Sequence, residues 1–565
     1  MNQQPTQSIE LDIRGMTCDA CARHVTQALQ SVPGVSQVQI PGWQSGRAIV
    51  TAQIDAPETI LTAAVQAAGY QATVRAPLAT PARQTPSQHS VHKDTDFDLL
   101  VIGTGGGGMA AAIKGAESGQ RVAIIEAGVI GGTCVNIGCV PSKTLIRAAE
   151  SYYRAGHHPF AGIETAACGV DWPAVIAQKD ALVAELRAGK YVDVLASYRE
   201  QITLVQARAR LQADGAVALD DGRVLTARGV VIATGARPQR LPLEGIDRVP
   251  VLDSTSAMAL AQPPTSLIVI GGRAIALEMG QTFARLGAQV TILQRSARLI
   301  PEHEPEIADA LAEILRQEGV RVETGVTPLA LREEAGQKVV TASVNGELQE
   351  FRAEQMLMAT GRTPNTAALG LAEAGVATDA GGFIIVDEFM QTSRPGIYAA
   401  GDVTNRPKLV YVAAAAGSVA AENALEGNRK RLNLTVLPDV IFTDPQVATV
   451  GLTEAQAMAD GYTVKTSVLP LSYVPRALAA RDTRGLIKLV AEQGTDRLLG
   501  AHVLAAEGGE VIQTAALAVH AGLRYGFTVA DLRGMLFPYL TQVEGLKLAA
   551  QTFEKDVAQL SCCAG

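Results

Sequence analysis

The chain of 565 residues is 47% apolar and 18% charged, with a formal net charge of −8. This length exceeds what one hydrophobic core supports, so we expect several globular α/β domains, and the negative charge argues against nucleic acid as a partner. The N-terminus has no basic segment followed by an apolar run, and no apolar stretch of about 18 residues occurs. We therefore expect a cytoplasmic protein with neither a secretory signal nor membrane insertion.

Six of the seven cysteines fall into close pairs, and only Cys168 is alone. The pairs are Cys18 with Cys21, Cys134 with Cys139, and Cys562 with Cys563. Such pairing in a large chain indicates metal and redox sites in a reducing compartment rather than a disulfide framework. All six paired cysteines are therefore candidate metal ligands, whereas Cys168 is expected to be a small apolar packing residue.

The first 75 residues predict the element order βαββαβ, which is typical of a ferredoxin-like domain. Cys18 and Cys21 lie on the loop that enters the first helix, where two thiolates can face one soft metal ion. A bare C-x-x-C also occurs in thioredoxin-type redox sites, although in a different strand order. The run Gly15-Met16-Thr17-Cys18 followed by Cys21 resembles the heavy-metal-associated domains. That resemblance implies a two-ligand site suited to Hg(II) or Cu(I) rather than zinc.

A dinucleotide-binding pattern begins at residue 96, after a segment rich in Pro, Thr, Ser and Gln that we interpret as a flexible linker. A strand over 96–102 runs into Gly103, Gly105 and Gly108, and a helix near 109–118 leads to a strand that ends in Glu126. The glycines permit a tight turn and the close approach of a pyrophosphate to the helix N-terminus. The carboxylate can accept hydrogen bonds from a ribose diol.

The central motif is Gly131-Gly132-Thr133-Cys134-Val135-Asn136-Ile137-Gly138-Cys139-Val140-Pro141-Ser142-Lys143. If Cys139 opens a helix, the backbone N–H groups and the helix dipole favour its thiolate. Cys134 on the preceding turn is then close enough to exchange electrons or a metal with it. Taken alone, the two cysteines are equally consistent with a structural disulfide or two buried thiols.

A second copy of the dinucleotide pattern follows 168 residues later, with a strand over 267–270 and a turn that begins at Gly271. Arg273 and Ala276 stand where glycine is usual, which predicts a less standard turn. The next strand is followed by Arg295 and Arg298 and by no acidic residue. Arginine suits a 2′-phosphate, so this copy favours NADPH over NADH, although a solvated surface face is the alternative interpretation.

The dithiol motif and the two dinucleotide patterns resemble the flavin-dependent disulfide reductases, a branch of the pyridine nucleotide-disulfide oxidoreductases. The resemblance implies an α/β chain with two Rossmann-like domains and an α+β dimerisation domain, preceded by the ferredoxin-like metal-binding domain. The implied order is a heavy-metal-associated domain (1–75), a linker (76–95), the first part of an FAD-binding domain (96–246), an NAD(P)H-binding domain (247–365), the second part of the FAD-binding domain (366–435), and a dimerisation domain with a Cys-Cys tail (436–565).

The same resemblance implies the roles of individual residues. Cys139 would be the flavin-facing thiolate, Cys134 the exchanging thiol, and Lys143 the ion-pair partner of Glu278. Gly271, Arg295 and Arg298 would bind NADPH. The residues expected to bind FAD are Gly103, Gly105, Gly108, Glu126, Gly128, Thr133, Lys143, Ala209, Thr234, Gly235, Asp402 and Val410.

The C-terminal region departs from the disulfide reductases of this family. Those enzymes carry His-Pro-Thr-x-x-Glu, whose histidine protonates a leaving thiol, but here the run begins with Tyr539 and keeps only Glu544. A thiol–disulfide reductase would lack its general acid, whereas reduction of a metal ion needs none. Cys562 and Cys563 are adjacent, so their Cα atoms are about 3.8 Å apart. A disulfide prefers roughly 4.4–6.8 Å, so two thiols that pass on a thiophilic ion are the better interpretation.

These features together resemble the mercuric reductase branch of the family. The resemblance implies a homodimer that reduces thiol-bound Hg(II) to Hg(0) with NADPH, FAD and the dithiol. Hg(II) would pass from Cys18 and Cys21, through the tail cysteines of the partner subunit, to the dithiol, with Tyr191 and Tyr539 beside the buried metal. Mercury transporters or an organomercurial lyase are the implied partner proteins. A large-type thioredoxin reductase and a metal carrier with a non-catalytic flavin core are the alternatives.

Overall fold

The computed structural model describes residues 6–16, 19–40, 47–53, 58–74 and 95–560. The chain divides after Asp94 into two compact units. Cys18, the tail cysteines Cys562 and Cys563, and all but the last residue of the expected linker lie outside the described residues.

The first unit is a four-stranded antiparallel sheet with two helices. Its elements are β1 (Thr6–Arg14), α1 (Asp19–Gln30), β2 (Val35–Gln39), β3 (Arg47–Gln53), α2 (Glu58–Ala67) and β4 (Gln71–Val74). The sheet order β2-β3-β1-β4 confirms the predicted βαββαβ arrangement. Alternate residues of β1 and residues four apart on α1 point into one core, which contains Leu11, Val25, Leu29, Val50 and Leu61.

The second unit opens with a Rossmann-like fold. Its elements are β5 (Phe97–Ile102), α3 (Gly106–Glu117), β6 (Val122–Glu126), α4 (Gly132–Ile137), α5 (Cys139–Gly156), α6 (Trp172–Arg187), α7 (Asp193–Ser197), β7 (Ile202–Gln206), β8 (Ala209–Leu211), β9 (Val217–Leu219), β10 (Val224–Leu225), β11 (Ala227–Ile232) and β12 (Ala236–Pro238). A π-helical turn, Ala188–Val192, joins α6 to α7.

A second Rossmann-like fold follows. Its elements are α8 (Ser254–Ala257), β13 (Ser266–Ile270), α9 (Ala274–Arg285), β14 (Gln289–Gln294), α10 (Pro305–Gln317), β15 (Arg321–Thr324), β16 (Val326–Glu334), β17 (Gln337–Val344), β18 (Glu347–Ala353), β19 (Gln355–Met358) and β20 (Arg362–Pro364).

The chain then returns to the first fold and ends in an α+β region. The elements are β21 (Ile397–Ala399), α11 (Val410–Glu426), β22 (Asp439–Ile441), β23 (Gln446–Gly451), α12 (Glu454–Ala459), β24 (Val464–Pro470), α13 (Pro475–Ala480), β25 (Leu486–Glu492), β26 (Leu498–Ala505), α14 (Gly508–Tyr525), α15 (Val529–Gly534) and α16 (Glu544–Gln551). Among the helices of the described ranges, none has the length and apolar character that crossing a bilayer requires.

Two parallel sheets confirm the predicted pair of dinucleotide folds. The first has the order β21-β11-β5-β6-β7 and the second has the order β15-β14-β13-β19. Strand β5 is apolar along Leu99–Ile102 because both faces of the sheet are covered. Ligands of such sheets bind beyond the carboxyl ends of the strands, which is where the glycine turns lie. The C-terminal sheet, β22-β23-β26-β25-β24, is antiparallel.

The two folds are joined by a short antiparallel ribbon in which β12 pairs with β20. At its base, the Thr234 hydroxyl donates to the Asn365 carbonyl at 3.0 Å, and the Asn365 side-chain amide donates to the Thr234 carbonyl at 2.9 Å. The sequence Ala-Thr-Gly occurs at 233–235, directly before β12, and again at 359–361, directly before β20, so the two copies mark the crossings between the folds.

Helices α3 and α11 pack at backbone contact through their glycines. A Cβ atom on Gly417 would lie 2.0 Å from the carbonyl oxygen of Gly107. No side chain fits there, so this crossing fixes how closely α11 approaches the first glycine turn.

Gly417→Ala is expected to lower the free energy of unfolding by about 1–3 kcal/mol, because the added methyl forces two buried backbones apart. Urea unfolding of the purified protein measures the loss. Gly169→Ala is the matched control, since a Cβ there would meet nothing within 4 Å. Equal stability of the two variants would contradict the proposed contact.

Candidate active site

The dithiol motif folds into two consecutive helices that place its cysteines side by side. Cys134 lies in α4, and Cys139 is the first residue of α5, as the sequence predicts. Gly138 between them approaches α4 so closely that a Cβ would lie 2.8 Å from the carbonyl oxygen of Thr133. This close approach brings the thiol of Cys134 in the first helix to the N-terminus of the second.

The two thiols are electrostatically unequal. The Cys134 thiol donates a hydrogen bond to Cys139, and this bond, with the charge of Lys143 and the backbone N–H of Cys139, lowers the pKa of Cys139 to about 7 against the opposing effect of burial. Donation to Cys139 and partial burial raise the pKa of Cys134. Cys139 is therefore the thiolate of the pair, and Cys134 carries the proton.

Cys168 does not have the packing role that the sequence suggested. It is an exposed free thiol in the loop between α5 and α6, and its sulfur lies 3.6 Å from the carbonyl oxygen of Ala166. The apolar character of cysteine was a poor guide here because the surrounding loop contributes few core residues.

The first glycine turn has the shape that an adenine dinucleotide requires. Gly103 has φ +108°, and a Cβ on it would lie 2.4 Å from the Ala233 carbonyl oxygen. A Cβ on Gly108 would lie 1.9 Å from the Gly103 carbonyl oxygen. Gly105 is the N-cap of α3, which begins at Gly106, earlier than predicted. The turn thus leaves backbone N–H groups open to a pyrophosphate.

The carboxylate of Glu126 is held at the end of β6. One oxygen accepts from the Thr104 hydroxyl at 2.5 Å and from its backbone N–H at 3.1 Å, and the other accepts from the Gly128 N–H at 2.8 Å. The same threonine hydroxyl accepts from the Gly131 N–H at 3.1 Å. Thr104 therefore connects the expected ribose-binding acid to the start of the dithiol motif, a role the sequence did not reveal.

A second helix N-terminus meets the first glycine turn. Val410 is the first residue of α11, and a Cβ on Gly106 would lie 3.1 Å from its side chain. Asp402 sits in the 3₁₀ turn Gly401–Val403, where burial raises the pKa of its carboxyl group. Ala209 begins β8. The carboxyl edge of the first sheet thus carries the residues expected to bind FAD.

The second glycine turn is more regular than the sequence suggested. Gly271 has φ +124°, and a Cβ on it would lie 2.4 Å from the Ala359 carbonyl oxygen, which matches the situation of Gly103. Arg273, the N-cap of α9, has φ −112° and ψ −173°, an extended conformation open to any residue. Arg273 therefore fits the turn, and its guanidinium pairs with Glu302 at 3.1 Å.

The arginines expected to select NADPH follow β14 on the surface. Arg295 and Arg298 are both exposed, and the Arg298 guanidinium pairs with Asp309 at 3.0 Å. Gln294 occupies the strand end and is buried, with its amide directed to the Arg298 carbonyl at 3.3 Å. Two exposed arginines therefore follow β14, and the residue at its end, Gln294, is an amide rather than a carboxylate.

Lys143 and Glu278 form the ion pair that the resemblance implied. The Lys143 ammonium lies 2.6 Å from Glu278 Oε2, although the two residues belong to different Rossmann-like folds. Glu278 is buried, and its other oxygen accepts from the backbone N–H of Phe442 at 2.9 Å. The Phe442 ring lies 4.5 Å from the same ammonium. No motif in the sequence singles out Phe442.

Tyr191 reaches the dithiol from the π-helical turn Ala188–Val192. A Cβ on Gly131 would lie 3.5 Å from its ring. Burial, together with the neighbouring charges of Cys134 and Cys139, raises the pKa of Tyr191. The structure therefore brings this tyrosine to the cysteines, and π-helical turns of this kind occur often at functional sites.

Tyr539 lies in the loop before α16 and is 56% exposed. Glu544 at the start of that helix is buried and accepts from the Leu540 backbone N–H at 3.2 Å. The Glu544 carboxylate thus holds the loop that carries Tyr539. In the first unit, Cys21 is half-buried in α1.

Three family descriptions match the chain. "Pyridine nucleotide-disulphide oxidoreductase" covers residues 97–417, its "dimerisation domain" covers 437–550, and "Heavy-metal-associated domain" covers 10–71. A structure of the flavoprotein disulfide reductase RclA from Escherichia coli, solved as a Cu(II) complex, superposes with a TM-score of 0.70 at 30% identity, covering 80% of this chain and 98% of that one. The fold is thus that of the flavoprotein disulfide reductases.

Two relatives match almost end to end. The mercuric reductase of Staphylococcus aureus is 44% identical over 560 residues, covering 99% of both chains. That of Shigella flexneri is 46% identical over 572 residues, covering 98% of this chain and all of its own. This chain belongs to the mercuric reductase family. Membership confirms the predicted family and the predicted fold class.

Removing the Cys134 thiol is expected to raise the pKa of Cys139 from about 7 toward the usual value of about 8.5, because the strongest stabilising contact of its thiolate is lost. The ultraviolet thiolate absorbance of reduced, metal-free Cys134→Ala protein, followed against pH, measures this shift. Cys134→Ser keeps a donor and should titrate closer to the parent. A Cys134→Ala profile that overlays the parent would show that the hydrogen bond is not the cause.

Proposed function

We propose that this protein reduces thiol-bound Hg(II) to Hg(0) with electrons from NADPH. The observation that carries the proposal is the unequal pair of the Cys134 thiol and the Cys139 thiolate, held next to Tyr191. Soft thiolates are the preferred ligands of soft, thiophilic metal ions. Two sulfur atoms held together can bind one such ion, and the reaction balances as NADPH + Hg(II) → NADP⁺ + H⁺ + Hg(0).

The replacement of histidine by Tyr539 supports a metal ion rather than a disulfide as the electron acceptor. Reduction of a disulfide releases a thiolate that a general acid must protonate. The residue at that position here is a phenol, which is a far weaker acid than imidazolium near neutral pH. A bound metal ion needs only ligands and electrons, so the tyrosine is no obstacle to its reduction.

FAD and NADPH are the cofactors that the two glycine turns fit. FAD would be held by the Gly103 turn, the carboxylate of Glu126, Asp402 and the N-terminus of α11, and NADPH by the Gly271 turn with Arg295 and Arg298. Bound together, the two cofactors supply hydride transfer followed by delivery of two electrons to the dithiol. Lys143 and Glu278 bridge the two folds and set the charge at the place where these sites converge.

Metal delivery is proposed to run through paired thiols. Hg(II) held by two thiolates leaves slowly by dissociation, and a third sulfur that attacks before the first one leaves provides an associative route. Cys18 and Cys21 would capture the ion, the partner subunit's Cys562 and Cys563 would receive it, and Cys134 would take it over. Tyr191 and Tyr539 would line the final site, which makes the homodimer the functional unit.

The proposed domain boundaries follow from this division of labour. The metal-binding domain would span residues 1–75, and a linker over 76–95 would connect it to the rest of the chain. FAD would be bound by residues 96–246 together with 366–435, and NADPH by residues 247–365. The dimerisation domain, which includes the cysteine tail, would span residues 436–565. A cytoplasmic location, with mercury transporters or an organomercurial lyase as suppliers of Hg(II), fits an enzyme that needs NADPH and reduced thiols.

Anaerobic enzyme given NADPH and Hg(II) with excess thiol should release volatile mercury into the headspace, with NADPH consumed in equal amount. The same enzyme should oxidise NADPH slowly with oxidised glutathione or oxidised thioredoxin. Rapid disulfide reduction with mercury left in solution would overturn the assignment. Cys134→Ala should abolish mercury release, because the remaining thiolate has no second sulfur beside it.

Changing both Cys562 and Cys563 to alanine should reduce turnover with Hg(II) bound to a bulky dithiol at least tenfold, which corresponds to about 1.4 kcal/mol of lost transition-state stabilisation. Turnover with a small, labile mercury complex should fall less, because that ligand can reach Cys134 directly. Steady-state rates with the two substrates measure this ratio. Equal losses with both substrates would contradict a relay through the tail.

A further inference from the structure

A short segment of the C-terminal region, Phe442–Asp444, packs into the place where the two Rossmann-like folds meet. It follows β22 and lies within residues 437–550, which match the dimerisation domain, whereas Lys143 and Glu278 lie within 97–417. The segment thus brings a third part of the chain to the ion pair.

Phe442 contacts both members of this pair by different means. Its backbone N–H donates to Glu278 Oε1 at 2.9 Å, while the Lys143 ammonium donates to Glu278 Oε2 at 2.6 Å. Its ring presents a face to that ammonium, with 4.5 Å between the nitrogen and the ring centroid. The negative face of an aromatic ring attracts a cation at this distance. Each carboxylate oxygen has one partner, so the carboxylate cannot rotate without losing a hydrogen bond.

The segment itself is anchored along one face of α9. The Gln281 side chain accepts from the Asp444 N–H at 2.8 Å and donates to its carbonyl at 2.9 Å. The buried Arg285 guanidinium lies 3.0 Å from the Asp444 carboxylate. Glu278, Gln281 and Arg285 are spaced by three and four residues, which places all three on the same side of the helix. Phe442 is therefore held by the helix that carries Glu278.

We infer that Phe442 is a positioning residue that fixes the geometry of the Lys143–Glu278 pair through its ring and its backbone N–H. The inference rests on the proposed function only in requiring that NADPH reduces the flavin at this junction. Loss of the ring leaves the ammonium free to leave its place beside the flavin site, while the backbone hydrogen bond persists. The Lys143 ammonium then adopts a wider range of positions, and flavin reduction by NADPH, which depends on a fixed charge at this site, becomes slower.

The test compares Phe442→Leu, which removes the ring, with Phe442→Tyr, which keeps it. Rapid mixing of each holoenzyme with NADPH without oxygen, followed through the visible flavin absorbance, measures the rate of flavin reduction. Phe442→Leu should be slower by about threefold to tenfold, the equilibrium factor of a partly buried cation–π contact. Phe442→Tyr should stay close to the parent. Phe389→Leu, which removes a half-buried ring 5.3 Å from Arg431, is the matched control and should not change the rate.

A second readout uses no electron transfer. Lys143 in the holoenzyme should be acetylated faster in Phe442→Leu than in the parent, as measured by mass spectrometry of the peptide that contains it. Gln281→Ala removes the side chain that holds the segment and leaves Lys143 unchanged. Like Phe442→Leu, it should increase the acetylation of Lys143 and slow flavin reduction. If Phe442→Leu binds too little FAD for the measurement, Gln281→Ala still tests the positioning role of Phe442.

Unchanged flavin reduction and unchanged acetylation in Phe442→Leu would overturn the inference, and so would a Phe442→Tyr variant as slow as Phe442→Leu. Neither readout contains mercury. Failure to release Hg(0) would therefore overturn the proposed function while leaving this inference standing, and the two results can be told apart.

Discussion

The site depends on one place where two backbones touch. A Cβ on Gly132 would lie 2.5 Å from the Cα of Gly105, so the dithiol motif can rest directly on the first glycine turn only because Gly132 lacks a side chain. Gly132 also has φ +63°, a conformation that glycine adopts without strain. This contact sets the distance between the cysteines and the dinucleotide site, and every later feature of the site is arranged around it.

Polarity within the dithiol follows from where each sulfur sits. Cys139 lies at the N-terminus of a long helix, and Lys143 is one turn further along the same helix, so helix and side chain act on the same sulfur. The charge of Lys143 also acts on Cys134, but its hydrogen bond to Cys139 and its burial outweigh that effect, so Cys134 keeps the proton and donates it in the shared hydrogen bond. An asymmetric pair can present one anionic ligand at once and uncover the second when a metal ion displaces the proton.

Features that depend on neighbours in sequence could be predicted, and features that depend on distant contacts could not. The strand, glycine and helix order around Gly103 and the helix start at Cys139 follow from local pattern. Phe442 lies almost three hundred residues from Lys143, and no spacing rule connects them. The π-helical turn under Tyr191 also escaped prediction, because its Ala-Gly-Lys-Tyr-Val sequence differs little from that of an ordinary helix. The helix start at Gly106 was missed because glycine is a poor helix former.

The second glycine turn shows which positions of such a fingerprint the backbone really constrains. Only the first, Gly271, has positive φ and an obstructed Cβ, whereas Arg273 is extended and Ala276 is a buried residue with an ordinary methyl group. Pattern searches that demand all three glycines would overlook this nucleotide site and others like it. A motif defined by backbone dihedral angles rather than by residue types would find such sites. It would also allow any side chain at the second glycine position, which Arg273 occupies here.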